Sequence, residues 1–241
     1  MYEKLRGVVL HTIRYSDKHN IVHIFTDAHG RMAFAVPQGR TRGSRQRNAM
    51  LMPLSLVEME ARLAPGRELA SMHDLRLVRP LTGIYGNPAK SAVAMFMGEV
   101  LSHCIQEQER NHPLFQFIEH SVDTLNQLQR GVANFHICFL YRLGEFLGIQ
   151  PDMDTYTPGA WFDMAGGVFT SHPAAVPHLM RPEEAAVIRV MSRMTYDNIH
   201  VFRFNREQRN QVLDTILAYY RLHNSTLGTL QSPDVLKQLF V

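Results

Sequence analysis

The spacing of hydrophobic positions divides the chain into two parts. Between residues 5 and 79, β-branched and aromatic residues recur in short runs separated by polar or glycine-containing breaks, a pattern typical of β-strands. The runs cover residues 5–13, 21–25, 32–36, 54–61 and 69–78, and Pro65-Gly66 predicts a hairpin turn before the last run. Five strands without a helical period favour a small closed barrel or sandwich over an α/β sheet.

From residue 88 onward the apolar residues follow the helical spacing of i, i+3, i+4 and i+7. Asn87-Pro88 and Asn205 have the composition of helix starts. Helices are predicted at about 88–107, 112–125, 131–148, 182–194, 205–223 and 232–240. A β-ribbon is predicted from two short runs, Trp161-Phe162-Asp163 and Val168-Phe169-Thr170, which are joined by a glycine turn. We therefore predict an α+β multidomain protein, with a barrel domain at 1–80 and a helical-bundle domain at 81–241 that contains a ribbon insertion at about 151–173.

Composition narrows the class of protein. The chain is 45% hydrophobic and 20% charged, which excludes collagen-like, low-complexity and disordered classes. It has no apolar run of 18 residues, and its N-terminus lacks the layout of a signal peptide, so we expect a cytoplasmic protein with no membrane partner. Its two cysteines, Cys104 and Cys138, lie within predicted helices and favour free buried thiols over a disulfide framework.

Charge is distributed unevenly between the two predicted domains. Residues 1–80 carry a net charge of +6, whereas residues 81–241 carry −3. A basic domain joined to a mildly acidic one is expected when one domain binds a polyanion.

Motifs of the common enzymes are missing from the sequence. It contains no phosphate-binding loop, no dinucleotide fingerprint, no nucleophile elbow and no His-Glu-x-x-His zinc motif. His19 and His23 have a spacing that places both on one strand face, but no carboxylate or thiolate lies near them in sequence, so a metal site is disfavoured. Glu107 and Glu109 are interpreted as a solvated helix end. We predict no catalytic residues, no metal site and no cofactor.

The segment 38–50 is the strongest local signal for binding. It holds Arg40, Arg42, Arg45 and Arg47 with two glycines and no acidic residue, and its composition predicts a long mobile loop between the third and fourth strands. Guanidinium groups bind phosphates and release condensed counterions. The open alternative is a solvated linker that the arginines keep soluble.

A five-stranded barrel with a basic loop is what single-strand binders of the oligonucleotide-binding (OB) type require. Tyr15, Phe25 and Phe34 are candidates for stacking on bases, although phenylalanines in such barrels are more often core residues. His11 and Arg14 extend the predicted basic surface, so the predicted nucleic-acid site consists of the four loop arginines with Arg14 and Tyr15.

Several segments, taken in order, resemble the RecO family of recombination mediator proteins. They are Gly7–Asp17, Ile24–Arg31, Gln38-Gly39-Arg40, Leu51-Met52-Pro53, Gly144–Asp154, Phe162 with Gly166-Gly167, Leu217–His223 and Gln231–Leu236. The resemblance implies an OB-fold barrel followed by a helical domain. It also implies non-enzymatic work in DNA repair and recombination: binding single-stranded DNA, annealing complementary strands, and helping with RecR to load RecA onto DNA coated with single-strand binding protein.

The sequence departs from the pattern of this family at one site, the ribbon. Many members of the family hold zinc with two Cys-x-x-Cys pairs in the ribbon, and those four positions fall here on Thr155, Pro158, Thr170 and Pro173. None of these side chains is a thiolate, so we predict a metal-free ribbon. Packing of Trp161, Phe162, Val168 and Phe169 is then expected to stabilise it.

The family also implies binding of the acidic C-terminal tail of single-strand binding protein. A site for such a tail needs a cation for the carboxylate beside an apolar hole. Arg130 and Arg142, near Phe139 and Leu143, are the candidate partner-binding residues. Two hypotheses remain: a DNA-binding mediator, or a protein-interaction scaffold whose basic loop binds an acidic partner.

Overall fold

The computed structural model describes residues 2–63, 69–172 and 177–240. The residues form two compact units, Met1–Gln127 and Leu128–Val241. The predicted boundary at residue 80 stays a prediction. The predicted turn at Pro65-Gly66, and Pro173 of the ribbon, lie outside the described residues.

The first unit begins with a closed five-stranded barrel. Its strands are β1 (Tyr2–Arg14), β2 (His19–Thr26), β3 (Gly30–Pro37), β4 (Leu56–Arg62) and β5 (Leu69–Leu77). They pair in the order β1-β2-β3-β5-β4, with β1 closing onto β4 and only β3 and β5 parallel. A five-stranded barrel with α+β organisation, as predicted, is therefore confirmed.

Successive side chains along each strand point alternately into and out of the barrel, and the inward ones form its core. Val9, Val22, Ile24, Phe34 and Val57 all point inward and are fully buried. The strand predicted from residue 54 begins two residues later, because Leu54 adopts a left-handed backbone conformation with φ of 64° before β4 starts.

The described residues of the first unit also form four helices: α1 (Arg42–Met50), α2 (Thr82–Tyr85), α3 (Pro88–Cys104) and α4 (His112–Gln127). The side chain of Asn87 caps α3, as the sequence indicates, by accepting hydrogen bonds from the N–H groups of Ala89 and Lys90. Helix α3 packs closely on β1 at Gly98, where a Cβ atom would lie 2.8 Å from the carbonyl oxygen of Leu10. Only glycine permits this approach.

In the second unit, the residues that the structure describes form four α-helices and a small sheet. The helices are α5 (Val132–Phe146), α6 (Pro182–Ser192), α7 (Arg206–His223) and α8 (Ser232–Leu239), and the sheet pairs β6 (Trp161–Asp163) with β7 (Val168–Thr170) and β8 (Leu179–Met180). Asn205 caps α7 by accepting from the N–H of Gln208. Strands β6 and β7 cover the residues predicted for the ribbon, and β8 is an additional strand that the sequence did not predict.

Both cysteines are buried in helices and free of disulfide bonds. Burial raises the pKa of each thiol to about 12, with the charge of Arg142 partly opposing the rise at Cys138. Both thiols are therefore protonated at neutral pH. None of the helices within the described ranges is long and apolar enough to cross a membrane.

Candidate nucleic-acid interface

Two segments that the sequence singles out meet at one end of the barrel. The turn between β1 and β2 contacts the exit of β3, because His19 pairs with Pro37 and the N–H of Gln38 donates to the carbonyl of Lys18 at 2.7 Å. The side-chain amide of Gln38 also donates to Oδ1 of Asn20 at 2.6 Å. The chain from β3 into α1 is thereby fixed beside the β1–β2 turn, which brings the two predicted groups of site residues to the same end.

The arginine-rich segment is a helix, so the prediction of a long mobile loop is wrong. Thr41 caps α1, since its hydroxyl accepts a hydrogen bond from the N–H of Ser44 at 3.2 Å. Leu51, directly after the helix, is buried in the barrel core. The helix itself buries no residue, and the hydrophobic stripe used to recognise helices is therefore absent from its sequence.

The four arginines of this segment divide into two kinds. Arg40, Arg42 and Arg45 are exposed, and Arg42 and Arg45 share one helix face by their spacing of three. Arg47 is half-buried and its Nη2 donates to the carbonyl of Pro37 at 2.6 Å. Three guanidinium groups are thus directed to solvent, while the fourth attaches the helix to the end of β3.

Arg14 and Tyr15 project from the β1–β2 turn. The Arg14 side chain is 71% exposed and pairs with Asp17 at 2.7 Å, a solvated ion pair of the kind that stabilises proteins little. Tyr15 is 68% exposed, while its N–H donates to the carbonyl of His19 at 3.2 Å. An exposed ring on a hydrogen-bonded turn is available for stacking.

The other two candidate stacking residues are part of the core. Phe25 and Phe34 are 1% and 0% exposed, and the ring of Phe25 lies 6.1 Å from that of Phe115 on α4. A base cannot stack on a ring that is covered on both faces, so Phe25 and Phe34 are core residues, the interpretation that the sequence favoured.

His11 adds little positive charge to the surface. Burial lowers its pKa, with His103 and Arg31 acting in the same direction and Glu99 opposing them. The pKa of His23 is also lowered, by burial first and then by Arg31 and His11. Both imidazoles are therefore neutral at pH 7.

The structure adds residues that the sequence interpretation missed. Lys18 is exposed in the same turn as Arg14, and Gln38 connects that turn to α1. One signal was available for Gln38, because it lies in the stretch 28–57, which contains no Asp or Glu at all. Lys18 lies outside that stretch, directly after Asp17. The cations at this end, which we call the basic end of the barrel, are Arg14, Lys18, Arg40, Arg42, Arg45 and Arg47, with Asp17 as the neighbouring acid.

The backbone of α1 has a polarity that suits anions. The first turn contains Arg42 and no acidic residue. A positive side chain at a helix N-terminus opposes the helix dipole and costs folding free energy, typically about 0.3–1 kcal/mol. An anion such as phosphate, placed at this N-terminus, interacts favourably with both the dipole and the arginine.

The candidate partner-binding residues lie in the second unit. Arg130 is exposed before α5. Arg142 is half-buried, and its Nη2 donates to the carbonyl of Met194 at 2.8 Å. The apolar neighbours suggested for it, Phe139 and Leu143, are fully buried core residues and do not line an open hole.

The ribbon residues at the family's zinc positions do not fit a metal. The hydroxyl of Thr155 donates to the carbonyl of Asp152 at 2.7 Å and accepts from the N–H of Phe169 at 2.9 Å. Pro158 and Thr170 offer no thiolate or imidazole, and no group of three or more metal-ligating side chains occurs among the residues with described positions.

Aromatic packing stabilises the ribbon. Phe162 and Phe169 are buried with ring centroids 4.8 Å apart, and Phe162 also lies 5.8 Å from Tyr219 of α7. Trp161 and Val168 are only half-buried, so the two phenylalanines provide most of the packing.

The fold and the basic end together define a class of protein: an OB-type barrel with a cationic surface, joined to a helical unit. Family models agree with this class along the chain, with "Recombination protein O N terminal" matching residues 1–81 and "Recombination protein O C terminal" matching residues 86–226. The chain belongs to the RecO family.

Relatives named "DNA repair protein RecO" match at full length. The protein of Bacteroides fragilis is 39% identical over 241 residues, and that of Phocaeicola vulgatus is 38% identical over 240 residues; each match covers 100% of both chains. The protein of Porphyromonas gingivalis is 32% identical over 240 residues, which is 98% of both chains. The recognition made from the sequence is confirmed.

Proposed function

We propose that this chain is a non-enzymatic recombination mediator in DNA repair that binds single-stranded DNA at the basic end of the barrel. The observation that carries the proposal is the state of Arg40, Arg42 and Arg45. All three are exposed, and within the described parts of the chain none of them has an ion pair or a side-chain hydrogen bond. Their charge is therefore available to phosphate groups.

Binding follows from the chemistry of these side chains. Arg42 and Arg45 present two guanidinium groups from one face of α1, with Arg40 just before the helix. Each phosphate contact releases condensed counterions, so affinity falls with salt concentration. Tyr15, beside Arg14 on the adjoining turn, stacks on an unpaired base, a contact that typically contributes about 1–3 kcal/mol.

Annealing and partner recruitment complete the proposed role. Annealing requires no bond chemistry, because a cationic surface reduces the repulsion between two phosphate backbones. We propose that the helical unit recruits RecR and the tail of single-strand binding protein, with Arg130 and Arg142 as candidate contacts, and so assists the loading of RecA. This role places the chain in the cytoplasm, at the nucleoid.

The test is fluorescence anisotropy of a labelled single-stranded oligonucleotide, titrated across a salt series. We expect wild-type binding with a steep salt dependence. The variant Arg40→Ala/Arg42→Ala/Arg45→Ala removes three contacts, so the slope of log K against log salt becomes shallower by about 2. Alanine favours helix, so α1 is retained in the variant.

A matched control removes three exposed arginines elsewhere in the first unit, Arg62, Arg76 and Arg110. We expect this control to keep at least most of the wild-type slope. Equal effects of the two triple variants would contradict the assignment of the basic end. Absence of wild-type DNA binding at low salt, together with arginine-dependent binding of an acidic peptide, would instead favour the protein-interaction scaffold.

A further inference from the structure

An open groove lies between α6 and α7 in the second unit. Its volume is about 620 Å³, and its lining also includes Met164, His178, the strand β8, Phe204, Gln208 and Gln211. It is distinct from the smaller apolar cavity lined by Leu140, Phe162 and Tyr220 that forms part of the core of this unit.

The groove walls are apolar and made of small side chains. From α6 come Ala186, Val187 and Val190, and from α7 come Val212, Thr215 and Ala218. The spacing places each set on one face of its helix. Ala186 and Ala218 are exposed. Small residues on facing walls leave room for a third helix at the usual interaxial distance of about 8–10 Å.

The charge of the groove is negative. Its lining includes Glu183, Glu184 and Asp214, and none of the described residues that line it is Lys or Arg. The carboxylate of Glu184 accepts from the N–H of Arg181 at 3.0 Å, and Asp214 pairs with Lys237 at 2.5 Å. Glu183 is exposed and has no ion pair in the part of the chain that the structure describes.

We propose that this groove binds a positively charged amphipathic helix of a partner protein. The apolar stripe of such a helix packs between α6 and α7, and Lys or Arg side chains at its edge pair with Glu183. Charge complementarity decides the occupant, because an acidic segment would be repelled by the carboxylates on the rim. The inference does not depend on DNA binding by the barrel.

The test uses two labelled 15-residue helical peptides, one of Leu and Lys and one of Leu and Glu, with the full chain in anisotropy titrations. The chain as a whole carries a charge of +3, so non-specific attraction favours the Glu peptide. We expect the Lys peptide to bind more tightly. Ala218→Trp fills the groove from an exposed position and should weaken binding by at least about tenfold, as loss of a central contact does.

Charge variants separate the groove from the rest of the surface. Glu183→Lys should weaken binding of the Lys peptide by about threefold to fivefold, the effect of an exposed ion pair. Glu207→Lys makes the same charge change on an exposed residue of α7 outside the groove and should have a smaller effect. Thermal unfolding checks that each variant is folded, and Ala186→Trp blocks the groove from the other wall if Ala218→Trp does not fold.

Three results would overturn the proposal. The first is equal or tighter binding of the Glu peptide, and the second is binding of the Lys peptide that neither tryptophan variant weakens. The third is a wild-type dimer in sedimentation that Ala218→Trp converts to a monomer, since the groove would then hold a second copy of the chain.

Discussion

Arginines in two regions of the barrel unit differ in what their guanidinium groups contact. At the junction of β3 with α3, Nη1 of Arg31 donates to the carbonyls of Ser102 and Ile105 at 2.9 and 3.1 Å and to Oε1 of Gln106 at 2.6 Å. At the basic end, Arg42 and Arg45 extend into solvent. The first region uses its arginine to end a helix and attach it to the barrel, whereas the second keeps its arginines available for binding.

Ion pairs follow the same division. Arg79 donates to Asp123 and Glu119 on α4, and Arg6 also pairs with Glu119, so these cations hold α4 against the barrel. The comparison teaches that the net charge of a segment is a poor guide to a binding surface, because some of its cations have structural roles. The proposed surface rests on Arg40, Arg42 and Arg45, whose positive charge has no internal partner among the described residues.

The largest expected effect comes from a buried histidine of the second unit, His136, which lies beside a structural arginine. Arg209 donates to the carbonyl of Phe204 at 2.8 Å and lies near His136, whose pKa is lowered to about 3 by burial and by the charge of Arg209. The unfolded chain binds a proton at His136 below about pH 6.5, whereas the folded chain does not. Stability is therefore lost as pH falls from 6.5 toward 3, by up to about 1.4 kcal/mol per pH unit from this group.

Urea unfolding between pH 7.5 and 4.5 measures this dependence, with His136→Gln as the comparison. We expect the free energy of unfolding to fall less steeply with falling pH in the variant, because the other titrating groups are common to both proteins. Identical slopes would show that the folded state accepts the proton at His136.

The next effect is the loss of Arg31. Arg31→Met keeps much of the side-chain volume but removes the hydrogen bonds to the end of α3. We expect a loss of about 2 kcal/mol in the free energy of unfolding, since charged donors to buried carbonyls contribute about 1.5–3 kcal/mol. The salt slope of DNA binding should not change. A change in the salt slope without a change in the free energy of unfolding would show that Arg31 contacts DNA and is not a structural arginine.

A smaller effect is expected at the N-terminus of α1. Arg42→Glu places a negative charge where the helix dipole favours one, and should stabilise the protein by about 0.3–1 kcal/mol. The same change should weaken DNA binding, because it removes a cation and adds an anion. The free energy of unfolding, measured by chemical denaturation, should rise while the DNA affinity, measured by anisotropy, falls. A loss of both stability and affinity would identify Arg42 as a structural residue.

The smallest effect concerns the turn between β1 and β2. Asp17 is 94% exposed and pairs with Arg14, so Asp17→Asn releases that guanidinium and removes a repulsion of phosphate. We expect DNA affinity at low salt to rise by about twofold, in line with the small free energy of surface ion pairs. Asp74→Asn, an exposed acid on β5, is a control that should leave affinity unchanged.

Much of the fold was accessible from the sequence, because the elements that bury residues leave a periodic pattern. The ribbon strands Trp161–Asp163 and Val168–Thr170 have the predicted bounds, since a glycine turn separates two short apolar runs. Helix α1 was not accessible in this way, as it buries no residue and depends on the cap at Thr41. A helix without a buried face is specified mainly by its capping residues.

The proposed binding surface was only partly accessible from the sequence. The four arginines are a visible cluster in the sequence, but their separation into Arg47, which contacts Pro37, and the three exposed side chains depends on the helical turn. The role of Arg31 depends on carbonyls 71 and 74 residues further along the chain. Contacts of that separation are set by tertiary packing and leave no mark in local sequence.

The hydroxyl of Thr155 is hydrogen-bonded at a position where the resemblance to the family implies a zinc thiolate in other members, and this has a consequence for how the protein withstands its chemical surroundings. Peroxides and chelators attack thiolate–zinc centres, because both the thiolate and the metal are lost on oxidation or extraction. Here the ribbon offers neither target, and both cysteines of the chain are buried, with thiol pKa values of about 12. We therefore expect the ribbon of this chain to keep its fold in the presence of peroxides and chelators.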